Sequence, residues 1–182
     1  MERTTELAEA KGQAEQMAKT DALTGLLNRR AFFQYGETEC ELAGRHGTTL
    51  AVTMIDLDGF KQINDQHGHA AGDAVLVHVG KALRRMIRNQ DMVGRIGGEE
   101  FAVLLPGSDL RTASDLAERL RKAFEELTIS VGKVELKVTA SFGVAAIDIV
   151  RETFEEALHR ADMALYSAKA SGRNRVEQAE AE

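Results

Sequence analysis

A run of ten residues at 48–57, TTLAVTMIDL, constrains the fold more than any other feature of the chain, because it is largely apolar and rich in β-forming side chains. Such a run, without the regular alternation of a half-exposed strand, predicts a buried central strand of a sheet. It ends in the acidic DLD of residues 56–58, and the GFK of residues 59–61 begins a helix directly afterwards. The sequence therefore places two carboxylates where a buried strand ends.

Helix and strand patterns alternate along the rest of the chain. Apolar side chains spaced about three and four apart predict helices at residues 29–45, 73–87, 108–127 and 154–170. Apolar, β-rich segments predict two strands within residues 134–147 and a short one at 175–176. Gly97 and Gly98 stand between two further apolar segments, which predicts a hairpin whose two-residue turn uses positive φ.

The order strand, helix, hairpin, helix, strand is that of a split βαβ plan. We therefore expect an α/β (α+β) fold with a mixed, mainly antiparallel central sheet, in which helices cover one face and the other face carries chemistry. A length of 182 residues and a hydrophobic content of 43% fit one domain with extra segments.

Composition excludes several classes of protein. The net charge of -6 argues against a nucleic-acid-binding surface, which normally carries a basic stripe. Cys40 is the only cysteine, which excludes an internal disulfide and a cysteine-rich metal site and suits a reducing cytoplasm. No apolar run approaches the roughly 18 residues of a membrane span, and the charged N-terminus lacks a signal-peptide core. We expect a cytoplasmic chain that contacts neither nucleic acid nor membrane, whatever the attachment of a parent protein.

Three segments follow from these patterns: a stalk at residues 1–20, a globular domain at 21–177 and an acidic tail at 178–182. Residues 1–20 lack proline and are rich in Glu, Ala, Lys and Gln, which predicts a helix with little apolar surface to bury. Such a helix is either frayed or paired with a partner in a coiled coil. A connecting stalk is favoured over a disordered lead.

Two adjacent acids, Glu99 and Glu100, follow the glycine pair of the predicted hairpin. If the hairpin lies beside the central strand, Asp56 and Glu99 could share Mg²⁺, which takes one or two carboxylates and completes its shell with substrate phosphates. The other interpretation is an ordinary exposed hairpin whose glutamates are only solvated charges.

The helix that follows the central strand offers a second feature of a phosphate site. Its first amides, at Gly59, Phe60 and Lys61, would point outward and form a seat for phosphates. Asp58, just before them, is as suitable for a helix cap as for a metal ligand.

The segment FKQINDQHGHAAGD at residues 60–73 is rich in amides, acids and glycines. Asn64 and Asp73 could hydrogen-bond a guanine edge, with the carboxylate accepting from the ring N–H and the amino group. Adenine would leave Asp73 without those donors, although Asp73 is equally suited to cap the next helix. His67 and His69 resemble a metal pair only superficially, because no further His or Cys accompanies them.

Five ordered blocks give the chain a specific resemblance. They are DALTGLLNRR at residues 21–30, DLDGFKQINDQHGHAAGD at 56–73, RIGGEEF at 95–101, SFGVA at 141–145 and ADMALYSAKASGRNRV at 161–176. In these blocks the chain resembles the GGDEF domain, the catalytic domain of bacterial diguanylate cyclases. Glu99 stands where the family name has Asp, a variant found in active members. The resemblance implies a palm-like nucleotidyl cyclase fold and a reaction in which two GTP molecules condense to cyclic di-GMP and two pyrophosphates.

The resemblance also implies roles for individual residues. Mg²⁺, or Mn²⁺ in its place, would be held by Asp56, the backbone carbonyl of Leu57, Glu99 and Glu100, and one of the glutamates would assist removal of the 3′-hydroxyl proton. Lys61 would neutralise charge developing on the phosphates. The residues implied in GTP binding are Gly59, Phe60, Lys61, Asn64, Asp73, Gly97, Gly98, Lys169 and Arg173, of which Asn64 and Asp73 select guanine and the last two hold the outer phosphates.

One such site binds one GTP, so the product requires two domains face to face. The stalk then has a purpose as a parallel coiled coil, which raises the effective concentration of the domains and lets an upstream sensor control their alignment. No sensor precedes the domain in this sequence, so we expect a fragment or a minimal catalytic module. Arg88 and Asp91 form an RxxD with five residues between it and Gly97, which in the family is the site of inhibition by cyclic di-GMP.

Two competing hypotheses remain. A catalytically silent module would bind GTP, or sense cyclic di-GMP through Arg88 and Asp91, without turnover. A dimerisation module would leave unexplained the set of Asp56, Asn64, Asp73 and Glu99.

Overall fold

The computed structural model describes residues 19–180, so the stalk predicted at 1–20 lies almost entirely outside the described residues. In chain order the elements are β1 Leu27–Asn28, α1 Arg29–His46, β2 Leu50–Leu57, α2 Phe60–His67, α3 His69–Met86, β3 Met92–Arg95, β4 Glu100–Pro106, α4 Leu110–Glu126, β5 Thr128–Val131, β6 Val134–Lys137, β7 Ala140–Ala146, α5 Phe154–Ala170 and β8 Val176–Gln178. The helices predicted at 29–45 and 154–170 are confirmed to within one residue. None of the helices in this part of the chain is long and apolar enough to cross a membrane.

Six strands form one sheet in the order β1-β3-β4-β2-β7-β8. The central strand β2 is antiparallel to β4 on one side and to β7 on the other, and all eight of its residues are buried. The outer pairs, β1 with β3 and β7 with β8, are parallel, so the sheet is mixed but mainly antiparallel, as predicted. β5 and β6 form a separate hairpin, and the sequence pattern predicted neither β1 nor β5.

Helices cover both faces of the sheet, so the prediction of one open face is wrong. Ile55 of β2 belongs to a core with residues of α3 and α4, whereas its neighbour Met54 belongs to a second core with residues of α1 and α5. Because β2 is apolar on both faces, each face needs a covering layer. A ligand can therefore reach the sheet only at the ends of its strands.

The hairpin of β3 and β4 is confirmed, but its turn differs from the predicted one. β3 ends at Arg95, β4 begins at Glu100, and the glycines with positive φ in residues 19–180 do not include Gly97 or Gly98. The N–H of Ile96 donates to the Glu100 carbonyl over 2.8 Å and closes a loop at residues 96–99. Gly97 is small for a packing reason instead, since a Cβ there would collide with the carboxylate of Glu100.

α3 begins at His69, four residues earlier than predicted, and no side chain in the described region caps its start. Asp73 therefore lies inside the helix, and the interpretation that it caps the helix is wrong. The first turn of α3 contains the small buried residues Ala71 and Gly72. The prediction depended on larger apolar side chains, which this first turn lacks, and it therefore placed the start of the helix too late.

α5 lies unusually close to the sheet. A Cβ on Gly143 of β7 would collide with the backbone of Ala161 and Leu165 in this helix. The contact is between backbones, so it fixes the depth at which α5 packs. This depth in turn sets the position of Lys169, one residue before the end of the helix.

Candidate active site

A buried carboxylate stands at the end of the central strand. Asp56 is only 6% exposed, and Nζ of Lys169 lies 2.8 Å from its Oδ2. Both residues line a cavity of about 170 Å³ between the end of β2, the start of α2, the β3–β4 loop and the end of α5. The lining residues are Asp56, Leu57, Asp58, Gly59, Phe60, Lys61, Glu99, Lys169 and Arg173. Most of the residues predicted for metal and phosphate binding thus meet in one place.

Burial dominates the electrostatics of Asp56. It raises the pKa of this carboxyl to about 6, although the hydrogen bond and charge of Lys169 oppose the rise, and the charges of Glu99 and Glu100 add to it. The carboxylate is therefore poorly solvated and lies among other acids with one lysine as its partner. Such a group gains more from an added cation than a solvated acid does.

The two glutamates of the signature point to different places. Glu99 lines the Asp56 cavity, and its backbone carbonyl accepts from the N–H of Leu57 over 3.3 Å, which fixes the loop beside the end of β2. Glu100 pairs with Asp56 across the sheet, but its carboxylate lies against Gly97 and lines a neighbouring cavity of about 200 Å³. The structure therefore places Glu99, and not Glu100, in the same cavity as Asp56.

The donor set of the cavity fits a hard divalent cation. Asp56 and Glu99 offer two carboxylates, and Leu57 adds a backbone carbonyl to the end of the strand. Among residues 19–180 no three His, Cys, Asp or Glu side chains form a ready-made metal cluster. In proteins one or two carboxylates typically hold Mg²⁺, and substrate phosphates and water complete its octahedron.

The start of α2 opens onto the same cavity. Gly59 holds a left-handed φ of 67° immediately before Phe60, and no side chain of the described region caps the helix. Uncapped N–H groups at a helix start attract anions. With exposed Lys61 in the first turn, and Lys169 and Arg173 from the end of α5, the cavity offers both amides and cations to a polyphosphate.

Asn64 and Asp73 lie beside this cavity, at the corner between α2 and α3. A Cβ on Gly72 would collide with Oδ1 of Asn64 and would lie 3.1 Å from the ring of Phe60. Asn64 therefore packs against the residue that precedes Asp73, and Phe60 connects this corner to the cavity that it lines. The structure thus places Asn64 against the residue before Asp73, and neither polar residue lines the cavity itself.

Asp58 does not cap α2, so the helix-cap interpretation is wrong. Its Oδ2 accepts from Oγ1 of Thr139 over 2.7 Å and from the backbone N–H of Asn174 over 3.0 Å. Its Oδ1 accepts from Oγ of Ser141 over 2.7 Å. Both oxygens are engaged by donors from β7, from the residue before it, and from the loop after α5.

Sequence reasoning missed an ion pair that holds the signature loop. Arg95 donates from Nη2 to the carbonyl of Gly98 over 2.9 Å, and its Nη1 lies 3.2 Å from both carboxylate oxygens of Asp21. Although burial opposes it, hydrogen bonds from Thr24 and Arg95 hold the pKa of the Asp21 carboxyl below its ordinary value. Arg95 adjoins the glycine pair, which was a usable signal, but no local pattern connects it to a residue 74 positions away.

A second cavity, of about 220 Å³, contains the predicted RxxD residues and shares none of the lining of the first. Asp91 is 8% exposed; its Oδ2 accepts from the Arg88 N–H over 2.9 Å, and its Oδ1 has no hydrogen-bond partner among the described residues. Burial raises the pKa of Asp91 against the opposing effect of Arg88. Arg119 of α4 lines the same cavity and was not singled out from the sequence. A buried acceptor beside two arginines suits a ligand with both N–H donors and phosphates.

A comparison with models of known families matches residues 18–175 to the family described as "Diguanylate cyclase, GGDEF domain". The chain belongs to the GGDEF domain family. The resemblance carried by the five sequence blocks is thereby confirmed.

The curated relatives of this GGDEF domain include named diguanylate cyclases. The domain is 43% identical over 162 residues to diguanylate cyclase DgcP of Pseudomonas aeruginosa, which covers 89% of this chain and 24% of that protein. It is 41% identical over 167 residues to diguanylate cyclase A of Treponema denticola, which covers 90% of this chain and 45% of that protein. The chain thus spans less than half the length of these two relatives.

Solved GGDEF domains share the fold. The coiled coil and GGDEF domain of DgcB from Caulobacter crescentus, in complex with c-di-GMP, matches with a TM-score of 0.92 and 32% identity over 97% of this chain and 94% of that one. The active GGEEF domain of a diguanylate cyclase from Vibrio cholerae matches with a TM-score of 0.81 and 34% identity over 86% of this chain and 99% of that one. These likenesses confirm the predicted fold class.

Proposed function

We propose that this GGDEF domain is a diguanylate cyclase, which condenses two GTP molecules to cyclic di-GMP and two pyrophosphates. The observation that carries the proposal is the contact of buried Asp56 with Lys169 in a cavity that Glu99 also lines. It combines carboxylates for a metal with cations for phosphate at the end of the central strand. Relatives named as diguanylate cyclases support it, as does a solved relative that has the GGEEF form of the signature and is described as active.

The triphosphate of GTP takes the cationic part of the cavity. Lys169 and Arg173 hold the outer phosphates, while Lys61 and the first N–H groups of α2 offset the charge that develops during transfer. Phosphoryl transfer depends mainly on positioning and electrostatic stabilisation, which these groups supply. When Lys169 turns to a phosphate it leaves Asp56, so the carboxylate becomes available to a divalent cation.

A metal fits the remaining donors. Asp56, the carbonyl of Leu57 and Glu99 would hold Mg²⁺ or Mn²⁺, and Glu100 would join them only if its side chain turned away from Gly97. A divalent cation at this position supplies charge neutralisation at the phosphates when bound. The chain's own carboxylates supply the base: Glu99 or Glu100 takes the proton of the 3′-hydroxyl.

The bond changes define what two sites must do together. The 3′-oxygen of one GTP forms a bond to the α-phosphorus of the other, the bond from that phosphorus to pyrophosphate breaks, and the 3′-proton goes to a carboxylate. A second, symmetric condensation closes the ring. Because each domain offers one such site, the reaction requires a homodimer with the two sites facing each other.

Guanine selection belongs to the α2–α3 corner. Asp73 accepts from the ring N–H and the amino group of guanine, and Asn64 pairs with the remaining edge. Gly72 supports this assignment because its lack of a side chain lets Asn64 approach the start of α3. Gly98, with open space at its Cβ position, leaves room for the nucleotide at the loop, whereas Gly97 leaves room for the carboxylate of Glu100.

Regulation has two proposed parts. Cyclic di-GMP binds in the second cavity, where Arg88 and Arg119 contact phosphate or guanine and the free oxygen of Asp91 accepts from guanine N–H groups. An upstream sensor in a longer parent protein would align the two domains through the stalk. The bound c-di-GMP of the DgcB structure supports the first part.

Incubation of the purified chain with GTP and Mg²⁺, followed by mass spectrometry, tests the proposal. Cyclic di-GMP and pyrophosphate in a 1:2 ratio are expected, with no corresponding product from ATP. Absence of product at high protein concentration, together with retained binding of cyclic di-GMP, would establish the alternative of a catalytically silent sensor.

A further inference from the structure

The half-buried side chain of Asp58 makes contacts that the proposed chemistry does not explain. Its carboxylate accepts three hydrogen bonds, from Thr139, Ser141 and the backbone of Asn174, and all are 3.0 Å or shorter. Two of the donors belong to β7 or the residue before it, while the third belongs to the loop after α5. Asp58 therefore joins the end of β2 to a segment 116 positions away in the chain.

The loop that Asp58 holds has an unfavourable backbone. Arg173 and Asn174 have φ of 62° and 45°, and they are the only residues other than glycine with positive φ in residues 19–180. Among L-residues Asn adopts this conformation more readily than most, whereas an arginine rarely does unless its surroundings hold it. The bond from the Asn174 N–H to Asp58 is a restraint on the second of these residues.

The side chain of Asn174 supplies further restraints. Its Nδ2 donates to Glu125 over 2.9 Å, and its Oδ1 accepts from Arg121 over 3.0 Å, so that α4 holds the loop from the other side. The backbone of Arg173 donates to the carbonyl of Ala168 in α5. Contacts of Asn174 and of the Arg173 backbone thus set the position of Arg173. The side chain of Arg173 lines the cavity together with Lys169.

We propose that Asp58 is a positioning residue for phosphate binding: it fixes the Arg173–Asn174 loop against the end of the strand that presents Asp56. This inference rests on the proposed function for the identity of the nucleotide. The inference goes beyond the proposed function because it assigns to Asp58, the second acid of the DLD sequence, a role that is neither metal binding nor helix capping. Asp58 touches no reacting atom and acts through Arg173.

Asparagine in place of Asp58 removes the charge and one of the two acceptor oxygens. Its oxygen can still accept from Thr139 and the Asn174 N–H, and its amide nitrogen can donate to the Ser141 hydroxyl, so the change removes the charge from these contacts without necessarily breaking them. We expect Asp58→Asn to weaken binding of Mg²⁺ with 3′-deoxy-GTP roughly tenfold in calorimetry, because hydrogen bonds to a charged carboxylate are about twice as strong as neutral ones and three of them become neutral. This nucleotide lacks the 3′-hydroxyl and cannot condense, so binding is measured apart from turnover.

A double-mutant cycle separates positioning from general damage. Arg173→Ala should also weaken binding, and adding Asp58→Asn to it should cause almost no further loss, because the loop then has no guanidinium to place. Asp109→Asn is the matched control, since Asp109 lies at the start of α4 and binds only the Thr112 N–H among the contacts described for its side chain. It should leave affinity unchanged. Full additivity of the Asp58 and Arg173 effects, or unchanged affinity in Asp58→Asn, overturns the inference.

If Asp58→Asn does not fold, Thr139→Val with Ser141→Ala gives the same test, because it keeps the carboxylate and removes two of its donors. Roughly threefold weaker binding is then expected, and wild-type affinity refutes the proposal. Binding of 3′-deoxy-GTP without turnover of GTP by the wild-type chain refutes the cyclase function alone. A wild-type chain that binds no nucleotide refutes both.

Discussion

Replacing Asp56 with asparagine is expected to stabilise the domain in the absence of metal and nucleotide. Burial raises the pKa of this carboxyl from 3.8 to about 6 in the folded chain, with Lys169 opposing the rise. A difference of about two units corresponds to about 3 kcal/mol, the cost of keeping this group ionised in the folded state. Asparagine mimics the protonated form and can still accept from Lys169, so it avoids this cost.

The pH dependence gives the sign of the effect. Because the folded-state pKa lies above the unfolded-state value, the folded protein binds more protons between about pH 4 and pH 6. The contribution of Asp56 to stability therefore falls as pH rises through this window, and the whole cost is present above about pH 6. Asp56→Asn should match the wild type near pH 4 and exceed it by up to about 3 kcal/mol at pH 8.

Urea unfolding at pH 4, 6 and 8 with a chelator present measures this difference. Asp109→Asn, a change of the same chemistry at an exposed carboxylate, should show no such growth with pH. The stabilised variant should form no cyclic di-GMP, which would mark Asp56 as a residue retained for function at the expense of stability. An Asp56→Asn chain no more stable than the wild type at pH 8 would refute the electrostatic argument.

Three other changes test separate parts of the account. Glu99→Gln should reduce turnover to background without changing the urea midpoint; an undiminished rate would remove Glu99 from the mechanism. Arg88→Ala should abolish inhibition by added cyclic di-GMP and keep the initial rate, since Asp91 is held by the backbone of Arg88 and not by its side chain; equal inhibition would disprove the site. Gly143→Ala should destabilise by about 3 kcal/mol in urea because backbone atoms of α5 occupy the position of the new Cβ, whereas Gly44→Ala, with open space, should not destabilise.

The parts of the fold that the sequence predicts well are those with a strong local pattern. The run at 48–57 is apolar almost throughout, and the structure buries it as the central strand. The predicted bounds of the helix Phe154–Ala170 are correct, and a capping box of Thr153 and Glu156 fixes its start in the structure. The run at 48–57 also indicated that helices must cover both faces of β2, because it is apolar on both sides. The expectation of one open face overlooked this.

The parts that failed depend on contacts between distant segments. The turn at Gly97 and Gly98 looked like a two-residue hairpin, but the packing of Glu100 against Gly97 and the hydrogen bonds from Arg95 set a longer loop. The role of Asp58 depends on donors more than eighty positions away. No spacing rule reaches so far along a chain.

The candidate site shows the same division. Asp56 and Glu99 could be paired from the residues alone, because acids at the end of a buried strand and at the turn of a neighbouring hairpin can share a divalent cation. Lys169 entered only through the family resemblance, and the structure places its ammonium group 2.8 Å from Asp56 in the cavity that both residues line. Arg119 was not predicted as a site residue, because only the fold brings it into the cavity that Arg88 and Asp91 line.

The dependence of the initial rate on protein concentration tests the central claim most directly. If two domains must face each other, the rate of cyclic di-GMP formation from saturating GTP and Mg²⁺ rises with the square of protein concentration where the chain is mainly monomeric. The order should fall towards one where sedimentation shows dimers. A rate strictly proportional to protein concentration throughout the monomeric range would contradict a site shared between two copies, and the absence of product at every concentration would contradict the cyclase itself.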